Sequence, residues 1–473
     1  MKTECISSRV VVQGAGRRNF EADFGGGRIT SDGGALLLME ADRRIRLIDR
    51  MAACFADYRD ADLIEHSARA MIAQRVFALA LGYEDLNDHD DLSRDTLLAS
   101  VCGLADPTGS ERKQLRDRLN ERALAGKSTL NRLETTPADA TSEARYKKIV
   151  YDASRMESLF IDIFLESFAN PPDEIILDFD ATDDPIHGGQ EGRFFHGYYN
   201  GYCYLPLYVF CGGHLLLARL RPSNIDASKG AVEALSLIVS RVRARWPRTR
   251  IVMRGDSGFC REEIMAWCER EGVCYVFGIA QNARLNAIIK EEMAGAERLW
   301  KQTGQGARVF KDFAYRTLNS WSLERRVIAK AERLEKGSNP RFIVTNISEE
   351  RFDARALYEK IYCARGEMEN RIKEQQMCLF ADRTSSHTMR ANQLRLYLSS
   401  AGYIVLEALR RLGLQGTEMR GARCDTIRLK LLKIGAQIKV TFRRIWVRLT
   451  SAYPLKPLFF RACNNLQLTP LLC

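Results

Sequence analysis

Ile175-Ile-Leu-Asp178-Phe-Asp180-Ala-Thr182 is a short apolar run that ends in acid. Asp178 and Asp180 stand two apart, so on a strand both side chains leave the same face. A second run, Ile251-Val-Met-Arg254-Gly-Asp256-Ser-Gly-Phe259, ends the same way. Far downstream, Glu369 closes Tyr362-Cys-Ala-Arg365-Gly-Glu-Met-Glu369. Buried carboxylates without partners are costly, so such groups want a metal or a cation. Two divalent ions about 4 Å apart can activate a nucleophile and stabilise the leaving oxygen of an in-line displacement. That arrangement needs one carboxylate between the ions and one on each side. Capping or salt bridging explains either strand end alone. It does not explain why an acidic helix follows two acidic strand ends.

Tyr362, Arg365, Glu369, Lys373 and Gln376 are spaced 3, 4, 4 and 3 and form one polar helical stripe. Ile361, Met368, Ile372 and Leu379 form an apolar stripe beside it, suited to packing on a sheet. A solvated Arg–Glu–Lys ladder would share this spacing.

Outward from these segments, strand signals run from 174 through Tyr202–Phe210 and Leu215–Leu220, with Gly-rich turns, which reads as an antiparallel meander. A helix from about Asp226 to Arg245, the strand carrying Asp256, a helix at 261–271 and the strand Val273–Ile279 follow. Three antiparallel strands and then alternating helix and strand is the order of an RNase H-like sheet, although other α/β folds accommodate it. Ala307–Thr317, Glu324–Ala331 and Arg341–Thr345 alternate like strands, which predicts a β-rich insertion over 283–350. The first 150 residues read as helical and arginine-rich. Ser31 or Asp32 is placed to cap a first helix, and 62–82 to form a second. The expected layout is therefore 1–150 mostly helical, 151–282 and 351–385 an RNase H-like α/β core, 283–350 a β-rich insertion, and 386–473 a basic, mostly helical region.

At 473 residues the chain is too long for one ordinary core. Hydrophobic residues make up 46%, which excludes a disordered chain. The net charge of +11 favours a polyanionic partner. From Arg383 to Cys473 there are 16 Lys/Arg against 3 Asp/Glu, a surplus of 13 that exceeds that of the whole chain and puts the phosphate-facing surface there. The 13 cysteines include no C-x-x-C pair and read as reduced core thiols. Met1-Lys-Thr-Glu-Cys-Ile lacks a signal-peptide apolar region, and no stretch approaches the roughly 18 apolar residues of a membrane span. A soluble cytoplasmic protein without membrane contact is expected. Gly126-Lys-Ser-Thr imitates a P-loop end, but Glu121 stands where the loop's first glycine belongs. His387-Thr-Met-Arg390 imitates the box of tyrosine recombinases, with Tyr397 on the same helix.

The chain resembles the DDE transposases of bacterial insertion sequences, specifically the insertion sequence thirteen-eighty family, in the branch marked Y-x2-R-x3-E-x6-K. The resemblance rests on Asp178 through Gly192, Leu220-Arg-Pro-Ser-Asn224, Arg254 through Phe259, Tyr362 through Glu374, and Leu124 through Glu134. One departure is visible: Gln376 stands where the signature has its final lysine, and Lys373 lies one turn earlier. The resemblance implies Asp180, Asp256 and Glu369 as catalytic, metal-binding acids, with Asp178 in reserve. It implies two Mg²⁺ or Mn²⁺ ions, double-stranded DNA as partner, and a homodimer bridging two element ends. Tyr362, Arg365, Lys373 and Arg254 would contact DNA, and Trp321 would stack on a flipped base. It further implies that 1–150 binds DNA, that 151–282 with 351–385 is the catalytic core, and that 386–473 serves DNA binding or dimerisation. It implies a protein at the bacterial nucleoid without a small-molecule substrate. The implied activity is cleavage and strand transfer at terminal inverted repeats. Its rivals are an RNase H-like nuclease without transfer and a silent DNA-binding descendant.

Overall fold

The computed structural model describes residues 9–13, 18, 20–112 and 114–469, so the N-terminal reading of Met1–Ile6 lies outside the described residues. A nine-stranded mixed sheet dominates. Its strands are β1 (Glu174–Ala181), β2 (Leu207–Cys211), β3 (His214–Arg219), β4 (Arg250–Gly255), β5 (Cys274–Ile279), β6 (Ala307–Tyr315), β7 (Arg325–Leu334), β8 (Gly337–Ser338) and β9 (Arg341–Thr345). They are ordered β3-β2-β1-β4-β5-β9-β7-β6, with β8 paired to β7. The meander β1-β2-β3 is antiparallel, whereas β1, β4 and β5 run parallel.

Alternation along β1 explains its place at the centre. Ile175, Leu177 and Phe179 are buried on one face, under the helices Ala231–Arg245 and Glu262–Arg270. The other face carries Ile176, Asp178 and Asp180. There Val252, Val276, Ile328 and Ile343 bury Leu357 and Tyr358 of a helical segment spanning 354–378. Each such side chain contributes roughly 1.5–3 kcal/mol on burial. This packing fixes where the polar end of that segment meets the sheet.

Several elements differ from the sequence reading. The 283–350 segment opens with two helices, Ala283–Ile288 and Lys290–Thr303, and its strands prolong the main sheet. The physical reason is the open edge of β5, whose backbone groups are satisfied by β9 in an antiparallel register. The strand expected over 202–210 breaks at Leu205-Pro206. Its first part, Gly201–Tyr204, joins Asp184–Pro185 and Phe194–His196 in a separate three-stranded flap. The basic 420–450 region contains a β-hairpin, Ala436–Val440 and Ile445–Leu449, paired to Arg28–Thr30.

Helices dominate the first 150 residues, but Gly34 is the N-cap of Ala35–Ile45, and neither Ser31 nor Asp32 caps it. Asp32 instead accepts from Tyr83 Oη at 2.6 Å and pairs with Lys433 Nζ at 2.7 Å. Those contacts join the two ends of the chain. One apolar core unites helix Ala68–Leu81 with helix Met389–Ala408 and with residues beyond it. No helix among the described residues is long and apolar enough to cross a membrane.

Candidate active site

Asp180 and Glu369, from separate elements, meet at one guanidinium, with Asp256 within its electrostatic reach. Asp180 is the penultimate residue of β1, and Asp256 follows β4, where it caps a short turn by accepting from the Gly258 amide at 2.8 Å. Glu369 lies on Gly366–Lys373 within the 354–378 segment. Arg365 Nη2 donates to Glu369 Oε1 at 2.8 Å, and Nη1 stands 3.6 Å from Asp180 Oδ2. Burial pushes the Asp180 carboxyl up to about 7; Arg365 opposes that shift, while Asp256 and Glu369 add repulsion. Arg365 Nη1 is buried yet has no hydrogen-bond partner.

Tyr362 packs against the same end of the sheet. A Cβ on Gly278 would lie 2.6 Å from the Tyr362 hydroxyl, so only glycine leaves room for it there. Burial raises the Tyr362 hydroxyl pKa, Arg365 lowers it, and Asp256 raises it further, as their proximity requires.

Asp178 and Arg254 have a different setting from the one expected of them. Arg254 Nε and Nη2 grip Asp178 Oδ1 and Oδ2 at 2.5 and 2.7 Å, and Nη1 donates to the Ile361 carbonyl. Both residues are at most 5% exposed. The parallel register puts them side by side on β1 and β4, closing a bidentate pair inside the protein. Arg254 therefore does not present its charge to the surface, and Asp178 already has its cation.

The rest of the predicted stripe divides. Backbone hydrogen bonding widens to π form over 357–362 and 374–378 and tightens to 3₁₀ form over 363–365. Such irregularities turn side chains out of a strict 3.6-residue register and recur at functional sites. Gln376 donates to Asp184 Oδ1 at 2.9 Å and to the Asp183 carbonyl at 3.1 Å. Lys373 is exposed and lines a groove with Asn370, Met377 and Arg423. Trp321 is 5% exposed, edge-on to Tyr315 at 5.8 Å, with Arg325 over its ring at 5.6 Å. One edge of Trp321 lines a pocket of about 530 Å³ with Asp226, Lys229 and Arg261. The recombinase-like pair is structural too: Arg390 stacks on Tyr151 at 3.9 Å, and Tyr397 is buried.

Hard carboxylate oxygens gathered around a cationic group are the donor chemistry that Mg²⁺ or Mn²⁺ takes. Among the described residues, no three such donors form a ready metal cage. Arg365 supplies the positive charge that the acids share.

The family model for the transposase DDE domain, group 1, matches residues 12–471. No curated protein matches the chain. Among solved structures, it is similar to a chain in the cryo-EM structure of the piggyBac transposase synaptic complex with hairpin DNA. The identity is 11% and the TM-score 0.38, over 85% of this chain and 80% of that one. With nearly its whole length matched by the family model, the chain belongs to the DDE transposase family, group 1.

Proposed function

We propose that this protein is the transposase of a bacterial insertion sequence, in the thirteen-eighty family and its Y-R-E-K branch. It cuts and rejoins DNA at the terminal inverted repeats of its own element. The observation that carries this reading is the meeting of Asp180 and Glu369 at Arg365, with Asp256 within electrostatic reach of both Asp180 and Arg365. The order β3-β2-β1-β4-β5 supports an RNase H-like catalytic core.

In this reading Asp180, Asp256 and Glu369 hold two divalent cations, which lower the barrier to in-line displacement at phosphorus. Water attacks the phosphodiester at the element end, and the 3′ oxygen leaves as a free hydroxyl. That hydroxyl then attacks a target phosphodiester, with no covalent bond between protein and DNA. Arg365, whose buried Nη1 stands near Asp180 without a hydrogen bond, is poised to meet a phosphate oxygen. Tyr362 is beside it. The Arg254–Asp178 pair holds the two catalytic strands in register.

The N-terminal helices are assigned to the inverted repeats and the C-terminal part to DNA, a second protomer, or both. The 436–449 hairpin supports a DNA contact. Lys439, Arg443, Arg444 and Arg448 share it with exposed Phe442 and Trp446, and it contains no acid. A two-stranded ribbon of this kind fits a DNA groove.

A cleavage assay on the DNA flanking the gene tests the proposal, with wild type compared against Asp256→Ala in Mg²⁺ and in chelator. Discrete metal-dependent cuts at the repeat boundaries, absent from the variant, are expected. Transfer products with a supplied target separate a transposase from a simple nuclease. Specific binding by folded protein without any cut would replace the reading with that of a silent DNA-binding descendant.

A further inference from the structure

The flap that follows Asp180 carries an unusual density of aromatic side chains facing solvent. Between Arg193 and Tyr202 the chain reads Arg-Phe-Phe-His-Gly-Tyr-Tyr-Asn-Gly-Tyr. Phe195 and Tyr202 meet edge to face at 5.6 Å, with Arg193 stacked over Tyr202 at 3.8 Å. At the tip, Tyr198 is 86% exposed. Tyr199 lies perpendicular to it, ring centroids 5.0 Å apart, and packs on His196 at 4.9 Å.

The position of this tip matters more than its composition. Tyr199 Oη donates to the Ala181 carbonyl at 3.4 Å, one residue past Asp180. This hydrogen bond puts the Tyr199 hydroxyl beside the backbone that carries Asp180, and burial, with Asp183 and Asp180, raises its pKa. The turn is built to hold this pose: Asn200 takes φ of 51°, a left-handed conformation to which asparagine is suited, between Gly197 and Gly201. An exposed aromatic ring braced by other rings beside a phosphodiester site presents a π-face for a base, and every base can stack on one. Trp321, expected to do this from the sequence, is buried.

Building on the DNA reading of the acidic site, we propose that Tyr198, braced by Tyr199 and His196, is the stacking platform for an unpaired base flanking the scissile phosphate. Tyr198 then positions DNA, and the acids act on it. Continuity with the acidic site is what favours a nucleic-acid base over a protein segment as the occupant.

Full-length protein in chelator, titrated into two fluorescent DNAs, tests this. One is a blunt duplex; the other is the same duplex with unpaired terminal bases, one of them 2-aminopurine. Tyr198→Ala is expected to weaken binding of the unpaired-end DNA by roughly 5-fold to 100-fold and to abolish quenching of the 2-aminopurine. Binding of the blunt duplex changes little, and Tyr198→Trp retains the quenching. The high exposure of Tyr198 makes an unchanged melting temperature the control for folding. Wild-type-like binding and quenching by Tyr198→Ala would overturn the proposal. So would an equal loss on both DNAs, or an altered oligomeric state with DNA binding intact. Wild-type protein that binds neither DNA would overturn the DNA reading of the site, and this inference with it.

Discussion

Three of the four aspartates in 178–184 meet burial in three different ways. Asp178 is closed by Arg254 in a bidentate pair. Asp184 has no cation; it accepts from Gln376, and its carboxyl is pushed up to about 8 by burial, eased by that hydrogen bond and reinforced by Asp382 and Asp183. Asp180 shares one guanidinium with Glu369, through a nitrogen 3.6 Å away that makes no hydrogen bond. The first is finished as folded, and the second, although its Oδ2 has no hydrogen-bond partner, is sealed at 0% exposure. The third is under-saturated, and under-saturation in a half-open position distinguishes a site that awaits a ligand from one that holds a fold.

The largest effect should come from breaking the closed pair. Arg254→Ala leaves Asp178 buried without its partner and should cost about 3–5 kcal/mol of stability, read by urea unfolding. The same treatment of the open site should do the opposite. Asp180→Asn removes a carboxylate that burial and its neighbours disfavour, so it should melt at or above the wild-type temperature. Its cleavage should fall about a thousandfold, since metal-assisted charge stabilisation contributes several kcal/mol. A variant at Asp180 that unfolds the protein, or one at Arg254 that leaves its stability unchanged, would erase the contrast.

Asp184 supplies a pH test with a definite sign. Its folded pKa lies above the unfolded 3.8, so between about 4 and 8 the folded state binds more protons. Stability from this group is therefore full below pH 4 and is lost as pH rises toward 8. Asp184→Asn, which keeps the hydrogen bond from Gln376, should flatten that slope in melting curves taken from pH 5 to 8. The smallest effect belongs to the C-terminal hairpin. Arg443→Ala with Arg444→Ala should lower the slope of log affinity against log salt by about 1.8, or 0.9 per phosphate contact, without altering cleavage dependence on metal.

The strand ends were legible because β1 and β4 are short, apolar and punctuated by acid. Their partners were not. Arg254 finds Asp178 only through the parallel register of β1 with β4, which is a tertiary property that neither segment encodes alone. The stripe through Tyr362, Arg365 and Glu369 was readable as helical periodicity. Gln376 escaped it because π turns leave no mark on apolar spacing. Trp321 could not be separated from a core tryptophan by sequence, and its neighbours Tyr315 and Arg325 bury it. The helices at 283–303 were missed because strand alternation farther on dominated that segment. The aromatic run at 194–202 carried a signal that composition alone could have flagged: many rings between glycines, with few aliphatic residues to bury them.

The shared core of the N-terminal and C-terminal helices bears on how the molecule is made. Helix Ala68–Leu81 leaves the ribosome about 300 residues before helix Met389–Ala408, against which it packs. At roughly 5–20 residues per second, its apolar side waits some 15–60 s for its partner. Folding of this layer is therefore completed after synthesis, and a nascent chain interrupted before residue 389 has an unfinished core at its beginning. A message truncated before residue 389 would yield a protein defective in its 35–81 helices, which ties the integrity of one stretch to that of another more than 300 residues away.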